Sequence, residues 1–316
     1  MSGLLAVFWK ELADNFASKR FIILFLLVYL AGIATIYVAA QNIRTGVTET
    51  TEFIFLRLFT VSGENLPFSF PFFLSLFIPI VGIALGFDSI NSERVSGNLS
   101  RILSQPVYRD SVVNGKFLAG LFTLAVLVVS IVVVVGGMGL RMIGVPPSAE
   151  EILRLFIFIF VSIVYGAFWM SLAVLFSILF RRTTTSALAT IALWIFLFFF
   201  MSLIARYIAG AIVPVDQNST IEVITRYDSI YSMISRISPS TLYGEATQVL
   251  LVPEMGSTSQ LLLYINIVSA GLMLGSLSLD QSLIIVWPQI ISLIALTVIC
   301  FAISYVKFMR EEIRST

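Results

Sequence analysis

Residues 117–140 read FLAGLFTLAVLVVSIVVVVGGMGL, with Lys116 on one side and Arg141 on the other. A bilayer core about 30 Å thick is crossed by a helix of about 20 apolar residues, and a charge at its centre costs about 2.5–3.5 kcal/mol on insertion scales. An apolar run of this length, bounded by cations, therefore reads as a membrane span. Working outward, five more runs have the same form: 21–40 after Lys19 and Arg20, 66–87 stopping at Asp88, and 155–180 between Arg154 and the pair Arg181, Arg182. The last two are 186–205, ending at Arg206, and 282–306, ending at Lys307. None of the six holds an internal Asp, Glu, Lys or Arg. The expected fold class is all-α, a polytopic membrane protein with about six transmembrane helices.

Composition agrees. The chain is 58% hydrophobic and 12% charged, with mean hydropathy +1.00, against about 45–50% and about 25% for soluble domains. A net charge of +1 gives no sign of nucleic-acid binding. The single cysteine, Cys300, sits in an apolar run, which excludes a disulfide or zinc cluster within the chain. It reads as a packing residue. With no histidine and no charged group in the spans, an intramembrane enzyme lacks the acids and bases it needs.

Six spans put both termini on one side. That side collects Lys10, Lys19, Arg20, Arg94, Arg101, Arg109, Lys116, Arg181, Arg182, Lys307, Arg310 and Arg314, twelve of the nineteen basic residues. The positive-inside rule makes it cytoplasmic, in a plasma membrane. The stretch 261–279 is apolar and nearly long enough to span, but only Asp280 and Gln281 would separate it from span six. A short external hairpin dipping into the membrane is the preferred reading. Residues 1–20 form an expected cytoplasmic interfacial helix, with Leu5, Phe8, Leu12 and Phe16 at helical spacing and Lys10, Glu11, Asp14 and Lys19 on other faces. Residues 21–316 form the six-span domain, with a cytoplasmic loop at 88–116 and a large external loop at 206–281.

The loop after span two carries the functional information. Residues 87–116 read FDSINSERVSGNLSRILSQPVYRDSVVNGK, far longer than a simple connection needs. Val95, Leu99, Ile102 and Leu103 can share one face of a short helix, Pro106 stops it, and Asp110 is placed to cap the helix that follows. The plain alternative is a solvated basic loop with no partner.

This loop resembles that of the type-2 ABC-transporter permeases, exporter-like subunits that include the permease of the nitrous-oxide-reductase maturation transporter. The matching residues are Phe87, Asp88, Glu93, Arg94, Gly97, Leu99, Leu103, Pro106, Arg109, Gly115 and Lys116, while Asn98 stands where the family usually has threonine. Phe8-Trp9-Lys10-Glu11 with Ser18-Lys19-Arg20 is similar to the family's N-terminal connecting helix, and Ser238-Pro239 with Leu242-Tyr243 to its external Ser-Pro segment. The resemblance implies a coupling helix that docks on a cytosolic ABC ATPase subunit, with Asp88, Glu93, Arg94, Gly97, Leu99, Leu103, Pro106, Arg109, Gly115 and Lys116 as coupling residues. It also implies a second membrane subunit, a homodimer being expected.

ATP and its magnesium then belong to the partner. The chain has no G-x-x-x-x-G-K-[ST] phosphate loop, and Gly115-Lys116 leads straight into Phe117. No catalytic, cofactor-binding or metal-ligating residue is assigned. An ion-coupled transporter or channel is the rival reading, favoured only by Pro67, Pro71 and Pro79 as marks of a broken helix. Gly136, Gly137 and Gly139 suit either close helix packing or a flexible span end. Asn218-Ser219-Thr220 is a glycosylation sequon in the expected external loop.

Overall fold

The computed structural model describes residues 3–46, 53–61, 68–97, 108–216, 219–253 and 277–310. These form helices and no strand. Short α1 (Gly3–Ala17) precedes the first span, α2 (Lys19–Gly46), and α3 (Ile54–Thr60) follows it. Then come α4 (Phe70–Gly86), the short α5 (Asn91–Val95), α6 (Arg109–Ile143) and α7 (Ala149–Leu179). The fifth span joins α8 (Thr183–Ile195) through a π turn (Phe196–Phe200) to α9 (Met201–Ile212). Last are α10 (Ile221–Ser235), α11 (Pro239–Leu251) and α12 (Leu279–Arg310). Among the described residues six helices are long and apolar enough to cross a membrane, as expected. The end where α2 begins and α12 finishes is here the terminal face, and the opposite end the distal face.

The helices overrun the apolar stretches. At about 1.5 Å per residue, α6 is about 50 Å long, well beyond a hydrocarbon core. Its charged bounds mark where lipid ends, not where the helix does. Gly144 stops α6 in the left-handed conformation (φ 79°). Ser148 starts α7 through a capping box with Glu151, so Gly144–Ser148 makes a tight distal turn.

α7 is the central post, packed along α4 and α12. A Cβ at Gly82 would lie 2.7 Å from the Gly166 carbonyl oxygen, and one at Gly86 2.7 Å from that of Met170. This small-residue pair lets the two backbones touch, as in close membrane packing. Pro79 does not break α4, which runs continuously from Phe70. Its missing N–H leaves the Ser75 carbonyl without an intrahelical donor, and the Tyr165 hydroxyl donates to that oxygen at 3.0 Å. The proline is thus answered inside the bundle. Pro71 lies in the first turn of α4, where a proline costs nothing; Pro67 lies outside the described residues.

Within 206–281, α11 packs against α3, α4, α7 and α12 and buries eight of its thirteen residues. Tyr243 stacks on Tyr165 with centroids 4.4 Å apart. Its hydroxyl pairs with Ser162 Oγ at 2.9 Å. A stripe at Leu242, Tyr243, Ala246, Val249 and Leu250 faces the core, which is helical periodicity in a segment too short to span. The hairpin expected at 261–279 falls outside the described residues apart from its last three positions, and the sequon at Asn218 also falls outside them. Of the three span-three glycines, Gly139 meets Leu58 of α3 closely, whereas Gly137 faces open space.

Candidate functional site

On the terminal face, α1 lies along the foot of α6. Leu4, Val7, Phe8, Glu11, Leu12 and Asn15 point inward, while Leu5, Trp9 and Phe16 are exposed. The helix therefore presents a different apolar stripe to the protein from the one its periodicity suggested. Gly115 permits the approach, since a Cβ there would sit 2.9 Å from Val7 Cγ1. Asn15 Nδ2 donates to Thr123 Oγ1 at 3.3 Å.

A lysine ties three elements. Lys116 Nζ lies 2.8 Å from Glu11 Oε1 of α1 and 2.8 Å from Glu93 Oε1 of α5. The side chains of Lys116, Glu93 and Glu11 are only 8%, 12% and 17% exposed. Lys10 adds contacts to Glu11 at 3.0 Å and to Glu93 at 3.9 Å. Beside this tie, Arg20 Nη1 at the start of α2 meets Asp88 Oδ2 at 2.7 Å, with its guanidinium over the Phe87 ring. The turn into α5 is pinned to α7, because the backbone N–H groups of Ile90 and Asn91 both donate to Ser177 Oγ, at 3.0 and 3.1 Å.

Electrostatics favour the charged forms. Burial pushes the Glu11 carboxyl up, but the Lys116 and Lys10 ammoniums outweigh it and hold it below its ordinary value. Burial pulls Lys10 down, and Glu11, Glu93 and Asp14 more than reverse that.

Of the ten coupling residues named from the sequence, the structure brings Glu93 and Lys116 into one cluster with Glu11, places Asp88 and Gly115 against its flanks, and sets Arg94 beside Glu93 on α5. Gly97 closes α5 with φ 70° and open space around it. Its constraint is conformational, not steric. Arg109 opens α6, but Asp110 is not its cap: the N-cap is extended Tyr108, and Asp110 Oδ1 accepts from the neighbouring Ser111 N–H at 2.7 Å. The helix starts two residues earlier than the cap reading needs. Leu99, Leu103 and Pro106 lie outside the described residues. Val95 and Tyr108, which flank that gap, are strongly exposed.

The distal face has its own knot, which sequence reasoning took for a simple span boundary. Arg154 is fully buried, paired with Glu150 at 2.8 Å. Its guanidinium donates to the carbonyls of Leu250 and Leu277 and to Ser282 Oγ. Glu151 accepts from Phe55 and Leu56 N–H at the start of α3 and from Ser148 N–H. One turn of α7 thus fastens α3, α11 and α12. The Ser148-x-x-Glu151 capping-box pattern was its only sequence signal. Beside the knot a cavity of about 630 Å³ opens between α3, α4, α9 and α11.

Among the described residues no group of acids or cysteine is arranged to hold a metal. What the arrangement provides is a multi-span helical scaffold whose terminal-face elements are locked together by buried ions. The profile of the ABC-2 family transporter proteins matches residues 5–313, and the chain belongs to that family. It is a permease subunit rather than an ATPase, and such permeases work with ABC ATPase subunits. No curated protein matches it.

Proposed function

We propose that the terminal face is cytoplasmic and that residues 88–116, together with α1, form the surface that receives a separate ABC ATPase. The observation that carries this reading is the Glu11–Lys116–Glu93 tie. It makes α1, α5 and the foot of α6 one mechanical block, so a displacement of the loop is passed to two membrane helices rather than absorbed. Twelve of the nineteen basic residues on this side support the orientation. Asp88, Glu93, Gly115 and Lys116 act within the block. Arg94, Gly97, Leu99, Leu103, Pro106 and Arg109 form or shape the docking segment. The loop's likeness to the nitrous-oxide-reductase maturation permeases favours export and pairing with a second copy of the chain. Spans without fixed charges suit an apolar or amphipathic cargo.

The test is reconstitution with the ATPase subunit. ATP hydrolysis should rise on adding the permease, and the permease alone should bind no ATP; tight ATP binding by this chain would sink the division of labour. In intact cells an impermeant maleimide should label a cysteine placed at Met233 but not one at Tyr108, and the reverse pattern would invert the orientation.

A further inference from the structure

Among the described residues Arg57 carries the one charge in the wall of the distal cavity. Among the described residues its guanidinium makes no ion pair or hydrogen bond, in contrast to Arg154 nearby, which has every partner it can use. Four neutral polar side chains in the same wall, Ser69, Ser202, Thr241 and Gln248, also lack a hydrogen bond among the described residues. The rings of Phe53, Phe72 and Phe198 line the same space. Polar groups held at the edge of an apolar bundle cost free energy unless something satisfies them. Here five do so around one space, whereas Tyr165, Tyr243, Ser162 and Glu151 in the neighbouring core each have a partner. A volume of about 630 Å³ is that of a small-molecule site.

We infer that this cavity binds an amphiphile with one anionic head and an apolar chain, Arg57 taking the head and the three phenylalanines the chain. A zwitterion would bring a second charge for which the described wall has no counter-ion. A wholly apolar ligand would leave the guanidinium and hydroxyls stranded. The head can come from an anionic lipid of the bilayer or from a soluble long-chain acid, since both offer the same chemistry. The inference does not depend on the coupling block, and its test needs no ATPase.

The full chain is placed in phosphatidylcholine nanodiscs and titrated with a dansylated long-chain carboxylic acid and, separately, with its methyl ester, read by fluorescence. The acid should bind more tightly than the ester. Arg57→Gln should weaken the acid about tenfold or more, the loss of one charge-assisted contact, and leave the ester unchanged. Gly244→Leu fills the cavity from α11, where a Cβ meets nothing within 4 Å, and should weaken both probes while the melting temperature holds. Adding phosphatidylglycerol to the discs separates the sources: displacement of the acid assigns the site to a bilayer lipid, and its retention assigns it to a soluble acid. Equal binding of acid and ester, or an unchanged affinity for the acid in Arg57→Gln or Gly244→Leu, would overturn the proposal. So would displacement by inorganic phosphate as effective as that by phosphatidylglycerol, because the chain would then contribute nothing.

Discussion

Glu11 shows how a surface helix can be held by ions that the protein has largely enclosed. Its carboxylate faces Lys116 and Lys10, and the balance leaves its pKa below the ordinary 4.5 despite burial. A carboxyl whose folded pKa is depressed contributes stability above its unfolded pKa and loses it as pH falls through the folded one. The docking of α1 should therefore be constant near neutrality and weaken only below about pH 4.5. Lys10, with a raised pKa, contributes below its ordinary 10.5 and fades only at more alkaline pH. Thermal unfolding of the detergent-solubilised protein from neutral pH into acid should show a step in the wild type that is missing in Glu11→Gln. A step of the same size in both would place the acid sensitivity elsewhere.

The elements behave as their sequences dictate until a backbone group needs help from a neighbour. Pro79 keeps α4 continuous only because Tyr165 reaches the Ser75 carbonyl. Tyr165→Phe should then strand that oxygen and cost about 1–3 kcal/mol. Replacing Pro79 by Ala in the same chain returns the missing N–H and should recover much of the loss, leaving the weaker contact to Ser240 unrepaired. A double variant no more stable than Tyr165→Phe in denaturant titration would refute the pairing. The same logic explains what the sequence could and could not reveal. Span positions were legible because charges such as Lys116, Arg141 and Arg206 cannot sit in hydrocarbon. The π turn at Phe196–Phe200 was not, since one extra residue in a helical turn leaves no mark in an unbroken run of Phe and Leu. Its signature is tertiary: Ser238, read only as part of a Ser-Pro segment, donates its hydroxyl to the Leu197 carbonyl at 2.8 Å. Burial of α11 was hidden for a related reason. Thirteen residues are too few to span, and only the three-dimensional setting shows that Tyr243 and Leu250 enter the bundle. At the terminal face the residue types were legible as a group, but not that Glu93 and Lys116 face each other and Glu11.

At the scale of the whole molecule the two faces are built differently, and the difference bears on how work would cross the membrane. The distal end is fixed by Glu151 and Arg154, whose partners are mainly backbone groups of α3 and α11 and the start of α12. The terminal end is held by side-chain ion pairs among α1, α5 and α6, next to the segment proposed to meet the ATPase. If that tie is a strut, breaking it should separate binding from transmission. Removing one member of a well-buried ion pair costs about 3–5 kcal/mol, and an exposed pair is worth about 0–1. With side chains 8–17% exposed, the tie falls just below the fully buried range, at about 2–3 kcal/mol. Lys116→Ala leaves two carboxylates with only the more exposed Lys10 and should be the most damaging, Glu93→Ala intermediate, and Arg20→Ala mild because Arg20 is 68% exposed. Glu93→Ala with Lys116→Ala should cost less than the sum of the two, since both single changes break the same Lys116–Glu93 pair. Each variant is assembled with the ATPase subunit, and subunit affinity, hydrolysis and transport are measured together. A strut predicts near-normal affinity and a fall in the number of substrate molecules moved per ATP. If Glu93→Ala instead weakens subunit binding and leaves that ratio intact, Glu93 is a contact with the ATPase and the block does not transmit force.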